Sequence, residues 1–113
     1  MFAAGRRRVK PYSAVMTPLD AHDVQHQLAA LPGWAVRADR LVREYRFADF
    51  VEAFGFMASV ALVAERMGHH PEWSNVWNTV RVELTTHDAG GITASDFALA
   101  TAMERLAGAR ATQ

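Results

Sequence analysis

The sequence predicts an α+β two-layer domain, in which an antiparallel sheet carries three helices packed on one face. Two stretches of alternating apolar and polar residues, at 34–47 and 72–86, indicate strands with one face exposed to solvent. Three stretches with apolar residues three and four positions apart indicate helices before, between and after these strands. Strand pairs that alternate with helices are typical of a sheet with its helices segregated to one side. The 113-residue chain has room for a single domain.

The first helix is predicted to begin at Thr17-Pro18-Leu19-Asp20. A threonine suits the N-cap and a proline suits the first helical position, while Asp20 stands where a capping-box acid is expected. The dipeptide Pro32-Gly33 is predicted to end the helix. A loose apolar stripe is expected to face the core: Leu19, Val24, Leu28 and Leu31.

The second and third helices have clear signals at both ends. Asp49 is predicted to cap a helix that runs to about Met67, with Gly68 as its C-terminal stop. A capping box at Thr93–Asp96 is predicted to start the last helix, which Gly108 ends. Helical spacing predicts that the second helix faces the core with Phe50, Phe54, Met57, Ala61 and Ala64, and the third with Phe97, Leu99, Ala100, Met103, Leu106 and Ala107.

The strands are predicted from period-two patterning. Residues 34–36 and 41–47 form a hairpin around a polar turn at Asp39-Arg40. Residues 72–86 form either one long strand or a tight hairpin around Trp77-Asn78, and periodicity alone does not distinguish the two. We expect the hairpin, which gives a four-stranded sheet and the order α-β-β-α-β-β-α.

Composition excludes several classes of protein. The chain has no cysteine, which excludes a disulfide scaffold, a thiolate zinc site, an iron–sulfur cluster and a cysteine nucleophile, and which fits a cytoplasmic location. No apolar run reaches the roughly 18 residues of a membrane span. The formal net charge is zero, but four basic residues and no acid lie in the first fifteen residues. The remainder is therefore acidic, which disfavours binding to nucleic acid.

The predicted domain is residues 16–108. Residues 1–15 are expected to form a disordered basic arm, because no apolar segment of the length found in signal peptides follows the arginines. Residues 109–113 are expected to form a frayed tail.

Three histidines are the best candidates for chemistry. His69 and His70 follow the second helix directly, and His87 ends the segment at 72–86. Glu65 lies four residues before His69, so the two share a face if the helix persists, and a carboxylate there would hold the imidazole. Imidazole is the natural group for moving protons near neutral pH.

Other interpretations of the histidines remain open from these residues alone. An adjacent histidine pair such as His69 and His70 is typical of a surface turn, and a metal held by the three histidines with Glu65 or Asp88 is chemically possible. His22 and His26 have zinc-ligand spacing, but they fall on the polar side of the first helix, where we expect them to face solvent.

The spacing of these residues resembles a known signature. Glu65-x-x-x-His69-His70-Pro71 is followed, after five, nine and eight intervening residues, by Trp77, His87 and Asp96. This pattern resembles that of the pterin-4a-carbinolamine dehydratases, and the resemblance covers about residues 17–107. The matching segments around it are Gly33-Trp34, His69–Trp73, Asn75-Val76, Thr85–His87 and Gly91–Thr93.

The resemblance implies a lyase that eliminates water from a 4a-hydroxytetrahydropterin to give quinonoid dihydropterin. It also implies that no metal or organic cofactor is needed, and that the reaction recycles the cofactor of aromatic amino-acid hydroxylases. The residues matching His69 and His87 are then the acid/base pair, and His70 chiefly binds substrate. Other residues expected at the pterin site are Gly68, Glu65, Trp73, Thr85, Thr86 and Asp88, of which Glu65 would tune a histidine. For Asp96 we expect mainly a structural role at the start of the last helix.

The resemblance leaves a second class of function open. Some members of the family serve as dimerisation or assembly partners of another protein, and the chain is expected to form a homodimer or homotetramer. Gly68 departs from the family pattern, since an acidic or amide side chain is common at this position in relatives. One polar contact to the pterin is therefore expected to be missing.

Overall fold

The computed structural model describes residues 17–108, so the predicted arm at 1–15 and the predicted tail at 109–113 lie outside it. The elements in chain order are α1 (Ala21–Leu28), β1 (Ala35–Arg37), β2 (Arg40–Arg46), α2 (Phe50–Met67), β3 (Glu72–Val76), β4 (Thr79–Leu84), a short 3₁₀ turn (His87–Ala89) and α3 (Ala94–Ala107). This order confirms the predicted α+β class. None of the helices within residues 17–108 is long and apolar enough to cross a bilayer.

The four strands form one antiparallel sheet in the order β1-β2-β4-β3. The segment at 72–86 is a hairpin, which settles the alternative that periodicity left open. Its two-residue turn is Trp77-Asn78, and Trp77 has a φ of 51°. The Asn78 side chain donates to the Phe47 carbonyl at 2.9 Å, which ties this turn to the end of β2.

One face of the sheet is covered by helices and the other is open. The covered face contributes Leu41, Tyr45, Val80, Val82 and Leu84 to the core, and Glu44, Arg46, Ser74 and Arg81 are exposed on the open face. The ring of Phe56 in α2 packs on those of Tyr45 and Phe47, with centroids 4.9 and 5.0 Å away. The Tyr45 hydroxyl donates to Glu104 at 2.5 Å and so joins the sheet to α3.

The predicted inward face of α2 is correct for Ala64, which is buried, and for Met57, which packs against the core, but it is wrong for Phe50, Phe54 and Ala61. Phe50 and Phe54 are 49% and 58% exposed, and the buried residues of the helix are Ala53, Phe56, Val60 and Ala64. Apolar residues surround much of this helix, so more than one stripe has helical spacing. The contacts of Phe56 with the aromatic residues of β2 select the stripe that is buried.

The predicted start of α1 is wrong by several residues. Asp20, not Thr17, is the N-cap, and its carboxylate accepts from the Asp23 N–H at 2.8 Å. The Leu19 N–H instead donates to the Ile92 carbonyl at 2.9 Å, which holds the chain before Asp20 outside the helix. The expected stripe is nevertheless correct: Val24 and Leu31 are buried, and Leu19 and Leu28 pack against the core.

Candidate active site

The β3–β4 hairpin brings the two histidine segments together. In the antiparallel register Glu72, the first residue of β3, lies opposite Glu83 near the end of β4. The segment that precedes β3 and the segment that follows β4 therefore meet at one end of the sheet. These segments contain His69 and His70 on one side and His87 on the other.

The end of α2 sets the position of the histidine pair. Gly68 adopts a φ of 67°, and its N–H and that of His69 donate to the carbonyls of Glu65 and Ala64, both at 3.1 Å. This is a Schellman motif, which turns the chain sharply away from the helix axis. Pro71 then keeps His70 out of the helical region. The pair therefore leaves the helix at once and leads into β3.

A compact loop positions His87. The Thr86 N–H donates to the Gly91 carbonyl at 3.0 Å, and the Thr86 carbonyl accepts from the N–H groups of Ala89 and Gly90, both at 3.0 Å. Gly90 has a φ of 79°, which suits a residue without a side chain. The loop folds back on Thr86, so His87 has a fixed backbone position beside the end of β4.

These segments line one open cavity of about 320 Å³. Its walls are formed by Gly68, His69, His70, Thr85, Thr86, His87 and Asp88. This volume lies within the roughly 300–1,000 Å³ that is usual for small-molecule sites.

His69 is the most enclosed of the three histidines. Its side chain is 14% exposed, and its Nε2 lies 2.6 Å from Oδ1 of Asp96, a carboxylate with no solvent exposure. The other carboxylate oxygen accepts from the Thr93 N–H and the Thr86 hydroxyl, both at 2.9 Å. Asp96 therefore caps α3, as predicted, and also joins this helix to His69 and to the end of β4.

The other two histidines also have carboxylate partners. His70 Nε2 lies 2.9 Å from Oε1 of Glu65, and His87 Nε2 lies 2.8 Å from Oε2 of Glu72. Their side chains are 64% and 72% exposed, so these two rings face solvent at the mouth of the site.

The three pairs share one geometry, in which a carboxylate oxygen lies within hydrogen-bond distance of Nε2 of the ring. An ionised carboxylate accepts hydrogen bonds and does not donate them, so a neutral ring in this arrangement carries its proton on Nε2. Nδ1 is then the nitrogen with a free lone pair. The site therefore offers three imidazoles that can give or take a proton.

No three histidine, aspartate or glutamate side chains between residues 17 and 108 are grouped as a metal ion requires. His22 and His26 are exposed, as expected for the polar side of α1.

Comparison with known protein families matches residues 17–106 to the pterin 4 alpha carbinolamine dehydratase family. The chain belongs to this family. The match covers every element from α1 to α3, except the last residue of α3, and both segments of the cavity.

Two relatives of this pterin dehydratase family member are similar to the chain over most of their length. A protein from Solibacter usitatus is 54% identical over 91 residues, covering 80% of this chain and 96% of the relative. One from Prochlorococcus marinus is 53% identical over 90 residues, covering 80% and 94%. Both have provisional names as pterin-4-alpha-carbinolamine dehydratases.

Two solved structures share the fold. The transcriptional coactivator/pterin dehydratase from Brucella melitensis has a TM-score of 0.80 and 41% identity, covering 81% of this chain and all of that one. A pterin dehydratase-like RuBisCO assembly factor of the α-carboxysome has a TM-score of 0.60 and 21% identity, covering 69% and 93% of the two chains. The second likeness concerns the fold alone.

The structure brings most of the predicted site residues of this family member together. The three histidines, Gly68, Thr85, Thr86 and Asp88 line the cavity. Trp73 is not among its walls, because the half-buried indole packs against the core. Glu65 contacts His70, not His69 as helical spacing suggested, because α2 ends at Met67 and the chain turns at Gly68.

Two residues of the site were not found from the sequence. Glu72 holds His87, and Arg40 holds Glu72. Glu72 directly follows the proline of the signature, Pro71, and this position beside the histidine pair could have marked it as a site residue. The contact of Glu72 with His87 depends on the register of the β3–β4 hairpin. The contact of Arg40 with Glu72 depends on the order of the strands in the sheet.

Proposed function

We propose that this protein is a hydro-lyase that eliminates water from a 4a-hydroxytetrahydropterin and releases quinonoid dihydropterin. The observation that carries this proposal is the convergence of three imidazoles, each paired with a carboxylate, on a cavity of about 320 Å³. Membership of the family supports the choice of a pterin as substrate.

The chemistry requires one acid and one base at the same ring. Protonation of the 4a-hydroxyl lets it leave as water when the C4a–O bond breaks. Loss of the N5 proton supplies the electron pair that forms the C4a=N5 double bond. In this proposal His69 and His87 are the acid/base pair and His70 chiefly binds the pterin, so that general acid and base act within hydrogen-bond reach of one substrate.

The surroundings of the rings support different tasks. His69 is enclosed and anchored to the buried Asp96, so its position is fixed by the fold. His70 and His87 are exposed at the cavity mouth, where they are open to an entering substrate. Thr85, Thr86 and Asp88 add hydroxyl, carboxylate and backbone groups that suit the polar edge of a pterin.

We also propose that the protein acts in the cytoplasm and recycles a tetrahydropterin used by an aromatic amino-acid hydroxylase. The absence of cysteine is consistent with this location.

Homo-oligomer formation is a further part of the proposal. Strand β3 lies at the sheet edge, and several large apolar side chains of α2 are exposed: Phe50, Val51, Phe54 and Leu62. Open edges and apolar patches are typical of association surfaces. Sedimentation of the purified chain at micromolar concentration should show a dimer or tetramer. A monomer would instead favour the other candidate function, in which this surface docks a different protein.

The rate of dehydration tests the enzymatic proposal. A 4a-hydroxytetrahydropterin is generated in situ and its loss is followed by absorbance with wild type, His69→Ala and His87→Ala. Each substitution should lower the rate on the order of 10²–10⁴-fold, the usual value for a missing acid or base. His26→Ala is the matched control, since His26 is an exposed histidine on α1. Equal rates for all four proteins would refute the proposal.

A further inference from the structure

A chain of charged groups runs from His87 across the open face of the sheet. His87 Nε2 lies 2.8 Å from one oxygen of Glu72, and the other oxygen accepts from Arg40 at 2.5 Å. The same Arg40 nitrogen lies 3.4 Å from Glu83. Arg40 is the first residue of β2, and its side chain spans β4 to reach β3, because β4 lies between these strands.

The register explains why an arginine is needed there. Glu72 and Glu83 are directly opposite each other in the β3–β4 pair. Like charges at such positions repel, and the repulsion would drive the half-exposed Glu72 side chain away from the sheet. Arg40 lies between the two carboxylates and offsets this repulsion.

The same contacts keep Glu72 ionised. The hydrogen bond from Arg40, followed by that from His87, lowers the pKa of the Glu72 carboxyl below its ordinary value. A carboxylate that stays ionised near neutral pH only accepts hydrogen bonds. It therefore selects the His87 ring form that carries a proton on Nε2.

His87 depends on this contact for its orientation. Its side chain is 72% exposed, so packing against neighbours does little to restrict rotation of the ring. By contrast, the enclosed ring of His69 is held on several sides. Glu72 is the side-chain partner that fixes the His87 ring among the described contacts.

We propose that Glu72 and Arg40 are positioning residues for His87: they hold its Nε2–H towards the sheet and leave Nδ1 as the proton-transferring atom. The tautomer and orientation of the ring follow from these contacts alone. The consequence for turnover rests on the proposed dehydratase function. Carboxylates that orient imidazoles at metal sites are worth about 10–100-fold in activity, and we expect an effect near the lower value.

The tautomer is measured directly by NMR on the ¹⁵N-labelled full chain. Two-bond ¹H–¹⁵N correlation spectra are recorded at a pH where the ring is neutral, and His87 is identified by the signals that vanish in His87→Ala. Wild type should show His87 in the Nε2–H form only. In Arg40→Gln and Glu72→Gln the ¹⁵N chemical shifts of the His87 ring should move towards those of a mixture of the two tautomers. The chemical shifts of the His69 ring should stay unchanged.

Turnover and two further variants complete the test. Arg40→Gln should lower kcat roughly ten-fold with little change in KM, and Arg40→Lys, which keeps the positive charge, should recover most of both signals. Arg81→Gln is the matched control, because the ion pairs of Arg81 are with Glu44 at 3.8 Å and Glu83 at 4.0 Å and include neither Glu72 nor His87. It should change neither the spectrum nor kcat.

Two results would overturn the inference. An unchanged His87 tautomer in both Arg40→Gln and Glu72→Gln would remove its geometric basis, whether or not the protein is a dehydratase. A changed tautomer with wild-type kcat would remove its catalytic consequence. Failure of the proposed function would instead appear as equal dehydration rates in the wild type, His69→Ala and His87→Ala. The change of the His87 tautomer in Arg40→Gln and Glu72→Gln would then still be observed.

Discussion

Asp96 should be essential both to the fold and to the site, and two substitutions separate these roles. The carboxylate is fully buried and accepts from three donors: the Thr93 N–H, the Thr86 hydroxyl and His69 Nε2. Asp96→Ala removes all three hydrogen bonds at once. Asp96→Asn keeps the shape and one acceptor oxygen but adds an N–H₂ group.

The loss of stability in Asp96→Ala follows from the hydrogen bonds that its three donors lose. The buried Thr93 N–H is left without its partner, which costs about 1–3 kcal/mol. The Thr86 hydroxyl keeps its 2.8 Å contact with the Thr93 hydroxyl, and His69 reaches solvent in part. Their losses are therefore smaller, about 1 kcal/mol each. We expect the free energy of unfolding to fall by about 3–5 kcal/mol, as for other broken buried pairs.

The asparagine variant should lose activity more than stability. Its oxygen can still accept from Thr93 and Thr86, which leaves the amide N–H₂ facing His69 Nε2. The ring then has to accept at Nε2 and carry its proton on Nδ1. We expect a stability loss of about 1 kcal/mol and a fall in kcat on the order of 10²–10⁴-fold.

Urea unfolding followed by tryptophan fluorescence measures the first effect, and the dehydration assay measures the second. A loss below about 1 kcal/mol in Asp96→Ala would refute the role of this carboxylate in the fold. Wild-type kcat in Asp96→Asn would refute its role in setting the protonation of His69.

Other predictions concern packing, backbone and pH. Phe56→Ala should lower the free energy of unfolding by about 3–5 kcal/mol, whereas Phe54→Ala, at a 58% exposed position, should cost well under that in the same urea titration. Gly68→Ala should cost about 1 kcal/mol by thermal melting, because a φ of 67° disfavours a side chain although nothing lies within 4 Å of the added Cβ. Burial, followed by the hydrogen bond to Glu104, raises the pKa of the Tyr45 phenol above its usual value of about 10. The stability from its neutral form is complete below about pH 10 and lost as the pH rises further, so Tyr45→Phe should flatten the alkaline limb of a plot of Tm against pH.

The elements with strong local signals were predictable. Asp49 and Gly68 bound α2 as expected, and the box formed by Thr93 and Asp96 starts α3. These residues act within one helical turn, so the local sequence contains the whole explanation.

The first hairpin is also present, but the prediction of its turn at Asp39-Arg40 is wrong by one residue. The turn is Ala38-Asp39, and Arg40 is the first residue of β2. Both turn residues have a positive φ, which an alanine rarely adopts, so the local sequence did not indicate this position.

Features that depend on distant contacts were not predictable in the same way. The buried face of α2 was misassigned because Phe54 and Phe56 are equally apolar, and only the second meets Tyr45 and Phe47 across the core. The face that Phe54 lies on is the exposed one. Hydrophobic spacing has no information about which side of an apolar helix meets the sheet.

The site shows the same division. The histidines and the loop at 85–88 were identified from residue type and spacing, including the resemblance to a known signature. The carboxylate partners of the histidines were identified only in part. Glu65 was expected to hold a histidine, but the αL turn at Gly68 brings it to His70 instead of His69. Glu72 was not expected beside His87, because the strand register places it there. These contacts arise from backbone geometry over several elements.

The cavity between the two histidine segments is the proposed pterin site. Titration of the ¹⁵N-labelled chain with 7,8-dihydropterin, a stable pterin without the 4a-hydroxyl group, tests it most directly through amide chemical shifts. We predict that the saturable shifts cluster at residues 68–70 and 85–88, which form the cavity walls. Saturable shifts confined to the opposite part of the domain, around Val24 and Ile92, or no shifts at millimolar pterin, would contradict the account.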